Sequence, residues 1–395
     1  MAEIVEIFCT VITGFEKIAA KEIRHKLPAV ENCEWGRGNV RFQLAVSRVS
    51  ECLQLRSVDN LFVVFLETSI DGLTEMEKEA AMRAIQKQIS FCNWKLAVDT
   101  WHETHGNKRI SGGTEKIVEQ MRQFMREGKE SEVTEESPKF RVTCKRCGEK
   151  ETHRFTSMDA ASKFGAQINN VFGWKCSVKE FDVEVLLRIE KNQMTVMMAL
   201  NDESLFKRNI CAYGPTTMRA TMCFCMLSLA AIRRGDVVVD AMCGGGSIPI
   251  EGAVAFPDAF FFGGDNHELA MQRCRQNWNE VAERAVSPCE FLQWDATSLP
   301  FHDRSVDVIV TDLPFGKKIG STTDNRLLYP KLVEEWKRVL RKGGRLVVMT
   351  HDKRSFENSI LKDRSSWETA ASHVVNVGGL SCLCLRLNIS DSLFS

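Results

Sequence analysis

The stretch VDVIVTDLPFG ends a largely apolar run in an aspartate, an apolar residue, a proline and an aromatic. These residue types suit one task, holding an exocyclic amine of a nucleobase. Such an amine is a poor nucleophile because its lone pair is delocalised into the ring. Asp312 and the backbone carbonyl of Leu313, accepting its two N–H bonds, draw the nitrogen toward tetrahedral geometry and free the lone pair. Pro314 fixes the backbone that aims the carbonyl. Phe315 offers a flat face to a base withdrawn from its stack. Gly316 avoids crowding, and Lys317 and Lys318 can meet phosphates.

Three further acids stand in the same kind of place. Asp240 ends VVVD and leads into Cys243-Gly244-Gly245-Gly246. Glycines there admit a ligand to the backbone at a helix N-terminus. The third glycine of a dinucleotide loop is replaced by Pro249, and an acid ahead of the glycines can pair with a ligand's ammonium. Both features favour S-adenosylmethionine over NAD. Asp265-Asn266 ends the second strand, where an acid can accept from both ribose hydroxyls, a feature NAD sites share. Asp295-Ala296 follows the third, where a carboxylate can accept from an adenine amino group. Each acid alone also serves as a helix N-cap; four at four consecutive strand ends are far more specific.

The elements that must position them alternate strand and helix from Gly235 onward. Continuous apolar strands with crossover helices predict an α/β domain with a mostly parallel, doubly wound sheet, whose ligand sits at the carboxyl ends of the strands. HVVNVGGLSCLCLRL predicts an antiparallel edge pair. The first 70 residues read as a small α+β domain of strands EIFCTVITGF, GNVRFQLAV and NLFVVFLET, with helices EKIAAKEIRHKL and SRVSECLQLRS. A polar stretch from His105 to Pro138, ending in EGKESEVTEESP, reads as a flexible insertion.

The chain has 395 residues and a net charge of +0, so any nucleic-acid site must be a local basic patch. Lys139–Glu180 carries such an excess: nine Lys or Arg, including Arg141, Lys145, Arg146, Lys150 and Arg154, against four acids. Fifteen cysteines and an N-terminus with acids where a signal peptide needs positive charge predict reduced thiols in the cytoplasm or nucleus. No window is apolar enough to span a membrane. Cys144-Lys145-Arg146-Cys147 lacks a second pair for a zinc site, so no metal is expected.

Taken together, DAMCGGGSIPIEGA, GGDN, QWDA and TDLPFG resemble the motifs of class I RNA methyltransferases acting on guanine N2, and FRVTCKRCGEKETHRFTS with FDVEVLLRIEKNQMTVMMALNDESLFKRN resembles a THUMP RNA-binding domain. Nearly the full length is similar to THUMP domain-containing tRNA guanine-N2 methyltransferases. The resemblance implies a ferredoxin-like domain over 1–72, a THUMP domain over 73–203 with the insertion at about 105–138, a linker over 204–232 and a Rossmann-like methyltransferase domain over 233–388. It implies N2-methylation of a guanosine in the tRNA acceptor stem, at position six, with S-adenosylmethionine as cofactor and a small zinc-binding activator subunit as partner. Pro215, Thr216 and Thr217 match the segment that brackets the methionine end of the cofactor. The family's usual hydroxyl residue between the loop glycines is Gly245 here, with Ser247 the nearest hydroxyl, and its Asn-Pro-Pro-aromatic tetrad is Asp312-Leu313-Pro314-Phe315. Methylation of another RNA amine (rRNA or snRNA guanine or adenine) and silent RNA binding are the alternatives; the four intact acids disfavour the second.

Overall fold

The computed structural model describes residues 3–106, 108, 110, 112–149, 152–316, 321–361 and 364–390. The N-terminal half is built from β1 (Ile4–Val11), α1 (Glu16–Lys26), β2 (Glu31–Gly36), β3 (Asn39–Ala45), β4 (Val58–Ser69), α2 (Lys78–Lys87), α3 (Trp94–Thr104), α4 (Gly113–Glu127), β5 (Lys139–Cys147), α5 (Ser157–Phe172), β6 (Lys175–Cys176), β7 (Val183–Glu190) and β8 (Gln193–Ala199). Its eight strands form one sheet, in the order β2-β3-β1-β4-β8-β7-β5-β6. The 72/73 division falls after β4, yet β4 pairs antiparallel with β8, so the two halves share a sheet and one buried core. Strand β2 was not foreseen; it is exposed along most of its length and carries no apolar alternation to betray it. SRVSECLQLRS, expected as an α-helix, forms a 3-10 helix over Val46–Gln54.

The expected flexible insertion requires correction, because α4 lies inside it. Ile117 is buried, and Met121 and Phe124 pack against the same core at helical spacing. The polar count of the segment hid that stripe.

The C-terminal half contains α6 (Ala220–Leu229), β9 (Val237–Asp240), α7 (Ser247–Ala255), β10 (Phe260–Asp265), α8 (Glu268–Val281), β11 (Cys289–Gln293), β12 (Val306–Asp312), α9 (Thr322–Val339), β13 (Leu340–Thr350), α10 (Lys353–Leu361), β14 (Trp367–Val377) and β15 (Leu380–Ile389). The sheet order is β11-β10-β9-β12-β13-β15-β14, with β9 to β13 parallel and β15 and β14 the expected antiparallel pair. Alternate side chains of β12 feed opposite faces: Val308 and Val310 join one core, Ile309 the other, as a sheet covered on both sides requires.

Of the contacts that tie the halves together, which include the bond from Thr221 Oγ1 to Asp59 Oδ1 at 2.7 Å, two stand out. The turn after β1 enters the C-terminal core through Ile12 and Phe15. Gly14 (φ +104°) lies so close to β14 that a Cβ would strike the Val374 carbonyl, and the Asn376 N–H donates to the Thr13 carbonyl at 3.0 Å. The second contact is Glu251 of α7, with no exposed surface. Its carboxylate accepts from Arg56 Nε at 2.6 Å and Nη2 at 3.0 Å, from Arg208 Nη2 at 3.0 Å and from Asn209 Nδ2 at 2.8 Å.

Candidate active site

Because β11, β10, β9 and β12 are adjacent and parallel, their carboxyl ends share one rim of the sheet. Asp295, Asp265, Asp240 and Asp312 therefore stand side by side in that spatial order. Asp240 is buried; its Oδ1 accepts from Thr311 Oγ1 at 2.7 Å and from the Met242 N–H at 3.2 Å. Burial raises its carboxyl to about 7 in spite of those bonds. Asp312 is more extreme. Burial, with Asp240 close by, holds its carboxyl well above the usual carboxylate range, and Oδ1 is buried with no hydrogen-bond partner. A buried acceptor without a donor is costly. A base amine would supply the donor, and a positive charge beside the pair would favour both ionised forms. The residues thus fit a sulfonium cofactor together with an amine substrate.

The rest of the tetrad is fixed from behind. Leu313 is buried, and its N–H donates to the Met349 carbonyl at 2.9 Å. The Pro314 carbonyl accepts from Tyr329 Oη at 2.6 Å and Asn325 Nδ2 at 3.1 Å, so it faces the protein and leaves the Leu313 carbonyl as the second acceptor. Phe315 is half-buried, its ring centroid 6.1 Å from that of His351. Gly316 has φ +67°, and a Cβ there would press on the Thr322 nitrogen at the start of α9, so this position needs glycine. Tyr329 and Asn325 were missed in the sequence; the signal was two polar residues one turn apart on the buried face of α9.

At the cofactor end, Gly244 and Gly246 adopt positive φ. Asp265 accepts from the Gly244 N–H at 3.1 Å and the His267 N–H at 2.9 Å, and so shapes the loop while keeping lone pairs for a ligand. Asn266 is exposed and its carbonyl accepts from Gln293. Asp295 is exposed; bonds from the Thr297 N–H and hydroxyl hold its carboxyl below the usual value. Ala296 beside it is half-buried. Ser247 is buried in the first turn of α7. The buried Cys243 thiol packs beneath the loop, 4.0 Å from the Gly244 carbonyl and 3.6 Å from Cys274 Sγ. Pro215 is exposed, and Thr217 Oγ1 accepts from the Gly214 N–H at 2.6 Å in a tight turn. Trp294, also missed, lies over Gly264 and donates its indole N–H to the Ala241 carbonyl at 3.0 Å, joining the second and third strand ends to the first.

The basic patch divides. Arg141 pairs with Glu184 at 2.8 Å and stacks on Phe181, and Arg154 pairs with Glu77. Arg146 lies over the Phe155 ring. Lys145 is exposed on β5, whose outer edge meets β6 only at Lys139 and Phe140. Lys150, Lys317 and Lys318 lie outside the described residues. Cys144 and Cys147 sit on β5, and no cluster of three or more metal-ligating side chains occurs among the described residues. Among those residues, no helix is long and apolar enough to cross a membrane.

Comparison with known proteins sharpens this picture. Residues 114–199 match the THUMP domain and residues 208–382 the RMKL-like methyltransferase domain. The chain is 36% identical to the mouse tRNA (guanine(6)-N(2))-methyltransferase THUMP3, over 99% of its own length and 90% of the relative. The chain belongs to the THUMP-domain guanine-N2 methyltransferases. A more distant relative is the mouse U6 snRNA (guanine-N(2))-methyltransferase THUMPD2, 25% identical over 87% of this chain and 74% of the relative. The fold is that of the TrmN crystal structure from Thermus thermophilus, with TM-score 0.74 and 20% identity, covering 98% of this chain and 99% of that one. Within this methyltransferase family, the four acids and the Asp312 tetrad fall inside the matched catalytic region, and Lys145 inside the matched THUMP region.

Proposed function

We infer that the chain methylates the exocyclic N2 of a guanosine in the tRNA acceptor stem, at position six, using S-adenosylmethionine. The observation that carries this reading is the buried, unpartnered Oδ1 of Asp312 at the fourth strand end. S-adenosylmethionine, when bound, supplies an electrophilic methyl group. Asp240 and the glycine loop would hold its amino-acid end, Asp265 its ribose and Asp295 its adenine. Asp312 and the Leu313 carbonyl each accept one N–H of the base amine, and Phe315 supports the flipped ring. Ionised Asp312 can also take the proton the nitrogen releases. The gain comes from positioning and from fixed acceptors in a site shielded from water.

The deciding experiment incubates the purified chain with tRNA transcripts and methyl-labelled S-adenosylmethionine, then maps the label by mass spectrometry of nuclease fragments. N2-methylguanosine at position six supports the reading. Label confined to U6 snRNA would overturn the tRNA assignment and favour the second reading, which the THUMPD2 similarity motivates.

Binding to tRNA is assigned to the N-terminal half. Lys145→Glu is expected to weaken tRNA binding and to lower the slope of log affinity against log salt by about 1. Arg141→Glu should instead lower the melting temperature, because it sets two carboxylates face to face at Glu184. An unchanged slope for Lys145→Glu in filter binding would mean a solvated face.

A small zinc-binding activator subunit is proposed as partner. What supports it is β11, an edge strand of the sheet whose Leu292 is exposed. Leu292→Lys should abolish co-elution of the co-expressed subunit on size exclusion; undiminished co-elution would place the contact elsewhere. A cytosolic or nuclear location, where thiols stay reduced, accords with fifteen free cysteines.

A further inference from the structure

Helix α8 follows the ribose-binding strand end, and nothing in its sequence marks it as part of the site. Its inner face nevertheless holds the glycine loop by the loop's own carbonyls. Cys274 Sγ donates to the Gly244 carbonyl at 3.1 Å, and Asn277 Nδ2 donates to the Gly245 carbonyl at 2.8 Å. Asn277 has no exposed surface and spends its whole amide on this region. Its Oδ1 accepts from the N–H groups of Cys211 at 3.0 Å and Ala212 at 2.7 Å, and Nδ2 also donates to the Ala212 carbonyl at 3.1 Å. One side chain thus staples the segment that leads into Pro215–Thr217 onto the glycine loop.

One turn earlier on the same face stands Arg273. Its guanidinium lies flat against Gly214: a Cβ on that glycine would stand 3.1 Å from Nε, 3.3 Å from Cζ and 3.4 Å from Nη2. Nε is buried with no hydrogen-bond partner, and no carboxylate pairs with Arg273 among the described residues. An arginine held beside a ligand loop with a buried donor unspent calls for an anion. The strand-end acids can serve the ammonium and ribose of S-adenosylmethionine, but its amino-acid end also carries a carboxylate, for which they are the wrong sign.

We propose that the inner face of α8 completes the amino-acid end of the cofactor site, Arg273 binding the cofactor's carboxylate and Asn277 acting as the positioning residue that holds the 211–217 segment over the glycine loop. The inference rests on the reading that the chain binds S-adenosylmethionine.

The test compares two ligands that differ in that end. S-adenosylhomocysteine carries the amino acid, and 5′-methylthioadenosine lacks it. By isothermal titration of the full chain, Arg273→Met should weaken S-adenosylhomocysteine about tenfold or more, the loss of a charge-assisted contact. Binding of 5′-methylthioadenosine should stay within about twofold, because it makes no such contact. Arg273→Lys should recover part of the loss. Asn277→Asp, which turns a carboxylate toward two carbonyls, should show the same ligand selectivity. It should also raise KM for S-adenosylmethionine while kcat returns at saturation, since α8 touches no reacting atom. If Asn277→Asp fails to fold, the Arg273 variants still decide. Unchanged S-adenosylhomocysteine affinity, or equal weakening of both ligands, would overturn the proposal. A wild-type chain that binds neither ligand would remove the reading beneath it as well.

Discussion

Asp312→Ala is expected to lower kcat for tRNA methylation by about 10²–10³-fold, the scale found when one preorganised polar contact to a reacting group is removed. S-adenosylhomocysteine affinity and tRNA affinity should stay close to wild type, measured separately by titration and filter binding. Parallel loss of all three would mean that the strand end had collapsed. The pH dependence gives an independent check. Burial lifts Asp240 to about 7 and holds the Asp312 carboxyl well above the usual carboxylate range, so Asp240 ionises as pH rises through neutrality and the ionised form of Asp312 gains with rising pH. With S-adenosylmethionine limiting, kcat/KM should climb with pH over that window. Saturation with the positively charged cofactor should move the climb to lower pH, because a nearby cation favours both ionised forms. Asp312→Asn keeps an acceptor oxygen at every pH, and so should retain more activity than alanine with a shallower climb.

The second large effect concerns stability. Glu251→Ala should cost about 3–5 kcal/mol, the scale for removing one partner of a buried ion pair and stranding the other. Here two guanidinium groups are stranded, Arg56 from the N-terminal half and Arg208 from the connecting segment, each only about one-fifth exposed at 19%. Glu251→Gln keeps an acceptor for Asn209 and one arginine and should fall between. Denaturant midpoints measure the effect. A shift below about 1 kcal/mol, the range of an exposed pair, would mean that water reaches the site and screens it.

The catalytic half was the more legible because its logic is local. Three apolar runs that end in an acid, and a fourth strand with an acid just beyond it, read directly as parallel strands whose tips converge, and Asp240, Asp265, Asp295 and Asp312 do stand in one row. What lay hidden were groups whose role depends on the fold bringing distant segments together. Tyr329 and Asn325 look like ordinary positions on α9 until the Pro314 carbonyl meets them. Asn277 is one more polar residue of α8 until Cys211, Ala212 and Gly245 close around it. Charge was the poorest guide. Arg141 and Arg154 contributed to a basic count, but each is committed to a neighbouring carboxylate, and only the three-dimensional arrangement separates them from Lys145. In α4, the polar residues outnumbered the few apolar ones that fix it to the core.

The shared eight-stranded sheet bears on how the chain comes into being. Ser69 pairs with Gln193, and Phe62 with Ala199, so β4 leaves the ribosome long before the strand that will cover its open side. During that interval the edge of NLFVVFLET is bare, an apolar strand with an unpaired backbone, which is the usual template for aggregation. Pairing over so long a separation is also intrinsically slow. Fragments ending before β8 should therefore be insoluble where the full chain is not, and a cut at residue 73 would leave each piece with half a sheet.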